Sequence, residues 1–217
     1  MASAVIHLCV ANEISKKFKR NNFNVLIGSI APDIAKIIGE SKIKSHFQIK
    51  NDDLPNLNLF LKKYLNNLND DFVFGYFIHL CTDYLWFKYF LKKYVDDEYI
   101  YLKNKEKVKF SDELLTNYVY SDYTNLNCDL IDNYNLSLDI FEKEIPKLNN
   151  IIKEIPMDKI YLVVDKTETI IKNSKRNSIN LFDLEDAKKF ITFSVEIIIK
   201  YLGVIYGNSC IRTDSSR

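Results

Sequence analysis

The sequence predicts an all-α fold: a single-domain, multi-helix bundle over residues 1–207, with a disordered tail at 208–217. Three observations carry that expectation. Five glycines and four prolines are too few for a turn-rich sandwich or barrel, and long helices suit such scarcity. Apolar residues recur at helical spacing, and neither an internal repeat nor a low-complexity linker interrupts them. A content of 47% hydrophobic and 27% charged residues is ordinary for a soluble globular protein, and 217 residues can bury a substantial core.

Residues 3–20 read as a first amphipathic helix. Val5, Leu8, Ile14 and Phe18 fall on its period, and Lys16, Lys17, Lys19 and Arg20 lie near its C-terminus, where the helix dipole favours cations. A loop is expected around Asn21–Asn24. In the apolar VLIGSIAPDI that follows, Gly28 and Pro32 break regularity, which puts Asp33 at a turn or at the opening of a short helix. Residues 40–54 are polar and loop-like, with Ser45-His46-Phe47 inside them. Helical pattern resumes at 55–68, with Pro55 in the first turn, and a long central helix spans 70–94 with Asn69 or Asp70 as its cap. Shorter helices are expected at 109–120, 123–135, 137–153 and 157–173. A strong helix from Asp183 to Tyr206 closes the fold, and GNSCIRTDSSR after it has no apolar period.

A formal net charge of +1 gives no electrostatic case for a nucleic-acid partner. Cysteines 9, 81, 128 and 210 are scattered without a C-x-x-C pair, which reads as buried, reduced thiols. The first residues lack the basic n-region of a signal peptide. The most membrane-like window, 72–91, contains His79, Asp83 and Lys88, which argues against stable membrane insertion. A cytoplasmic protein is therefore expected.

The residues that carry chemistry are few. All three histidines, His7, His46 and His79, fall in the first 79 residues. His79 and Asp83, four apart in GYFIHLCTDYLW, share one helix face in apolar surroundings, where unpaired polar groups are costly. The pair admits two readings: a hydrogen-bonded structural pair that fixes the helix, or two metal ligands held at a fixed separation. Considered with His7, Asp33 and His46, the metal reading gains weight, because zinc favours imidazole and carboxylate donors. Mixed N/O donors also suit iron, manganese or nickel. Asp122, Tyr123, Asn125 and Asn127 in the 120–127 segment are candidates for extra ligands or for a helix cap. Tyr76 and Trp86 read as core, and Glu13, Glu40 and Lys42 as surface residues.

The ordered series His7, G-S-I-A-P-D ending in Asp33, S-H-F at His46, and G-Y-F-I-H-L-C-T-D ending in Asp83 resembles the zinc-dependent phospholipase C family, which is related to the fungal single-strand nucleases. The resemblance covers roughly residues 1–90. It implies an all-α phosphoesterase with a buried zinc cluster. It matches Asp33, His46, His79 and Asp83 to the ligands of one zinc, Asp83 to the carboxylate bridging to a second ion, and His7 to a histidine of that second ion. The family's remaining zinc needs further histidines, and this sequence has none after residue 79. The resemblance thus implies one ion, or a pair bridged by Asp83.

The expected function is a metal-dependent hydrolase of phosphoester bonds that uses a metal-activated water, with Asp33 or Asp83 accepting its proton. The expected substrate is a small phosphoester or phospholipid-like molecule. The alternative is a noncatalytic helical binding or structural module stapled by the same metal.

Overall fold

In a computed structural model describing residues 1–50 and 53–214, with side chains through residue 207, short polar side chains set most of the helix starts. α1 (Ala4–Phe18) opens where Ser3 Oγ accepts the Ile6 N–H at 3.1 Å, and ends where Lys19 turns left-handed. The expected loop at Asn21–Asn24 is instead a helix start. Asn21 accepts the Phe23 N–H at 3.2 Å, and α2 (Asn22–Ile30) runs straight through Gly28. Pro32 then lies in a 3-10 turn, Ala31–Asp33, that leads into α3 (Ile34–Ile37). α4 (Lys42–Ser45) is a single turn inside the segment expected to be loop, and α5 (Leu57–Tyr64) is capped by Asn56.

Asp70 is the cap of the central helix, accepting the Phe72 and Val73 N–H groups at 3.0 and 3.1 Å. α6 (Asp71–Leu85) does not run regularly to residue 94. It widens into a π turn at Trp86–Phe90 and tightens into a 3-10 turn at Leu91–Lys93. The wide turn lets Trp86 pack against Phe90, Tyr123, Phe182 and Phe190.

A small antiparallel hairpin that the helical reading did not include follows. It pairs β1 (Tyr99–Tyr101) with β2 (Lys107–Lys109), with Ile100 opposite Val108. α7 (Asp112–Tyr134) is one helix where two were expected. Of the helix expected at 137–153, only α8 (Asp139–Glu142) forms. α9 (Ile160–Lys172) and α10 (Leu184–Asp214) complete the chain. With 66% of residues helical, the fold is all-α. Part of α10, Leu184–Gly207, is long and apolar enough to cross a bilayer, yet Ile191, Ile198 and Leu202 on it are buried in the core. The tail expected at 208–217 lies outside the residues whose side chains are described.

Two glycines set how α2 and α6 cross. A Cβ on Gly28 would stand 2.1 Å from the Phe72 carbonyl oxygen, and one on Gly75 would stand 2.1 Å from that of Val25. Each glycine therefore lies directly against the other helix's backbone, and these two helices form the centre of the bundle. Around them the apolar core is one contiguous cluster from Ala2 to Ile205.

Asp122 does not cap its own helix. From the middle of α7 its buried carboxylate accepts the backbone N–H groups of Asn180, Leu181 and Phe182, at 2.7, 2.7 and 3.2 Å, and the Asn180 amide at 2.9 Å. It thereby ties the segment before α10 to the bundle. Asp122→Ala leaves three N–H groups without their acceptor, and unfolding in urea is expected to show a loss of about 3 kcal/mol. A loss below about 0.5 kcal/mol would contradict this role.

Candidate metal centre

Four elements bring the five expected donors together. α1 contributes His7 and the 3-10 turn after α2 contributes Asp33. His46 follows α4 directly, and α6 contributes His79 and Asp83. His7, His46, His79 and Asp83 are at most 1% exposed, whereas the Asp33 side chain retains 17% exposure. The site is thus closed on the α1/α6 side and open where Asp33 lies.

The donor atoms converge. His46 Nε2 is 3.2 Å from His79 Nε2, 3.5 Å from Asp83 Oδ2 and 3.8 Å from Asp33 Oδ1. His79 Nε2 is 3.7 Å from Asp83 Oδ2 and 3.9 Å from Asp33 Oδ1. Ligand atoms at the corners of a tetrahedron around one zinc ion stand ~3.4 Å apart, and these five donor–donor distances, 3.2–3.9 Å, lie close to that spacing. The other oxygen of the same carboxylate, Asp83 Oδ1, faces His7 Nε2 at 3.2 Å and accepts the Ala2 N–H at 2.9 Å. Asp83 therefore lies between two donor groups, and the His7 ring stacks on that of His79 with centroids 3.8 Å apart.

Ring orientations are set from outside the cluster. His79 Nδ1–H donates to the Ser29 carbonyl at 2.7 Å, which leaves an unprotonated lone pair on Nε2. Ser45 Oγ lies 2.9 Å from His46 Nδ1 and 3.4 Å from the Lys42 carbonyl, which fixes the orientation of the His46 ring. That turn is held in turn by Tyr76, whose hydroxyl donates to the Ser45 carbonyl at 2.5 Å. Two imidazole Nε2 atoms thus face each other and a carboxylate. Asp83 Oδ2 and both ring nitrogens of His7 are buried and make no well-aligned hydrogen bond, although His46 and His7 approach Asp83 to 3.5 and 3.2 Å. Such an array is costly unless a cation occupies its centre, and its donor types fit a divalent ion.

Electrostatics agree. Burial pulls the His79 imidazole well below its usual range, so it is neutral and able to ligate. Burial also works to raise the Asp33 carboxyl, but the Lys42 ammonium 3.0 Å from Oδ1 holds it well below the usual carboxylate range. Lys42, read from the sequence as a surface residue, is therefore part of the site. Its partner Asp33 lies nine residues away, across a 3-10 turn and a short helix, and residue type alone gave no signal of this pairing. The Ser29 carbonyl was likewise invisible, since a backbone acceptor has no residue-type signature. Burial pushes the thiols of Cys9 and Cys81 up, which makes them packing groups. The 120–127 segment sends no carboxylate to the cluster, because Asp122 is committed to residues 180–182.

Two cavities flank the donors. One of about 630 Å³ is lined by Lys42, His46 and Asp83, with Phe87 and Lys92 at its wall. The other, of about 500 Å³, reaches Asp33 between Ile30, Ile37, Tyr120, Tyr123 and Lys166. A separate apolar cleft of about 580 Å³, between Tyr84, Tyr89, Phe193 and Ile197, touches none of the five donors.

Compared with protein-family models, curated proteins and solved structures, the chain matches none.

Proposed function

We propose that this chain is a metal-dependent hydrolase of phosphoester bonds, a reduced relative of the zinc-dependent phospholipase C family that works in the cytoplasm. The observation that carries the reading is the N2O2 donor set of His46, His79, Asp33 and Asp83, with buried donors that lack a well-aligned hydrogen bond and a cavity on each side. In this reading those four residues hold one zinc ion, and Asp83 bridges to a second held with His7. Iron, manganese and nickel accept the same donors. A divalent ion so held supplies Lewis acidity, lowering the pKa of a water from ~15.7 to about 7 and polarising a phosphoryl oxygen.

The chain's own residues do the rest. The Ser29 carbonyl and Ser45 Oγ aim the two imidazoles, and Asp83 joins the two donor groups. Asp33, partly exposed beside a cavity, would orient the attacking water and, through a carboxylate oxygen not committed to the ion, accept its proton. Its lowered pKa makes it a weak base, so orienting the water is the larger part of its role. The substrate is a small phosphoester or phospholipid-like molecule lodged in the flanking cavities.

Burial of four donors to 1% exposure or less favours a second reading, a noncatalytic module stapled by the metal. Metal analysis of protein purified without chelators, followed by a panel of phosphomonoesters and phosphodiesters, separates the two. The enzyme reading predicts stoichiometric metal and hydrolysis that chelation abolishes and added zinc restores. Stoichiometric metal with no hydrolysis of any ester would support the module, and hydrolysis that survives chelation would refute the mechanism.

A further inference from the structure

Lys42 places a positive charge at the edge of the donor cluster. Its ammonium is 3.0 Å from Asp33 Oδ1, its side chain is 23% exposed, and it lines the 630 Å³ cavity beside His46 and Asp83. In the cluster alone, Lys42 balances Asp33. Once Asp33 and Asp83 are both committed to a divalent ion, the two carboxylates are neutralised by it, and the Lys42 charge is left in surplus. That surplus faces the cavity in a half-buried setting, where a charge–charge contact is stronger than in open water. The cavity's remaining carboxylate, Asp53, is turned to its own loop, where Oδ2 accepts the Lys50 N–H at 3.0 Å.

We infer that Lys42 anchors the phosphoryl anion of the substrate: its ammonium tethers Asp33 and donates to a tetrahedral oxyanion held in the 630 Å³ cavity. This rests on reading the cluster as a metal centre. Lysine suits the task as a compact point charge with three rotatable donors, so it can bond Asp33 and a phosphoryl oxygen at once. It also supplies, from a side chain, positive charge of the kind that stabilises a transferring phosphoryl group.

The test is inorganic phosphate binding to the zinc-loaded chain by calorimetry, with metal content measured on each sample. Wild type is expected to bind phosphate with an affinity that falls as salt rises. Lys42→Met is expected to keep its metal and bind phosphate ~10- to 100-fold more weakly, the range for loss of one charge-assisted hydrogen bond. Lys42→Arg should recover most of that loss. Lys92→Met, which removes a lysine from the same cavity wall but far from Asp33 in role, should stay within about twofold. Unchanged phosphate affinity in metal-loaded Lys42→Met would overturn the inference, as would wild type that takes up metal but binds no phosphate. Loss of metal from Lys42→Met would overturn it too, by assigning the residue to positioning Asp33. Failure of the wild type to take up metal would instead remove the metal reading beneath it.

Discussion

Replacing His79 with alanine is expected to weaken metal binding by more than ~100-fold, beyond the 10- to 100-fold typical of residues that merely orient a ligand. His79 belongs to both donor groups, with His7 and Asp83 on one side and with Asp33 and His46 on the other. Removing its Nε2 takes a corner from the tetrahedron and a neighbour from the bridging carboxylate at the same time. The metal-free protein should lose less, about 1–3 kcal/mol, as the Ser29 carbonyl gives up its buried partner. Comparing zinc-loaded and zinc-free melting therefore isolates the metal: wild type should gain stability on loading, and His79→Ala should gain little. An alanine variant that carries the wild-type equivalent of zinc would refute the assignment.

Gly75→Ala is expected to destabilise the fold by more than about 3 kcal/mol and to impair metal binding, although the glycine touches no donor. Its Cβ would meet the Val25 carbonyl oxygen at 2.1 Å, and both partners are helix backbone, so neither yields by rotating a side chain. α2 and α6 must separate. Since α2 carries Ser29 and α6 carries His79, separation stretches the 2.7 Å hydrogen bond that aims Nε2. Gly203, on the exposed side of α10 with nothing within 4 Å of its built Cβ, is the contrast. Alanine there should stabilise by about 0.5–1 kcal/mol through helix propensity alone. Urea unfolding of both variants checks the pair, and equal effects at the two positions would show that the close helix crossing is not what Gly75 serves.

Much of the fold was legible because its causes are local. The cap at Asp70 and the apolar period of α1, α6 and α10 act within a few residues, and pattern reading detects such causes. Where the reading failed, the deciding contact came from elsewhere. Asparagines at 21–24 favour a turn by residue type, but an asparagine can equally cap a helix whose apolar face the core then holds. The sequence suggests two helices, 109–120 and 123–135, where α7 is continuous. In the fold, Asp122 is satisfied by backbone 58 to 60 residues away, which makes a buried carboxylate acceptable in mid-helix. Gly28 was read as a break, whereas a partner helix that approaches within contact of its backbone makes the missing side chain a requirement of packing.

For the site, the sequence by itself determined which atoms are available. Three histidines and two aspartates stand out because imidazole and carboxylate are the donors a metal needs, and because His79 and Asp83, amid apolar residues, need a partner. The tertiary structure decided everything that depends on distance. It brought His7 within 3.2 Å of Asp83 from 76 residues away, turned Lys42 onto Asp33, chose the His79 tautomer through the Ser29 carbonyl, and left cavities beside the cluster. The physical reason is that a donor's chemistry belongs to its side chain. The convergence of donors belongs to helix packing, and that packing rests on two glycines whose importance only their contacts reveal.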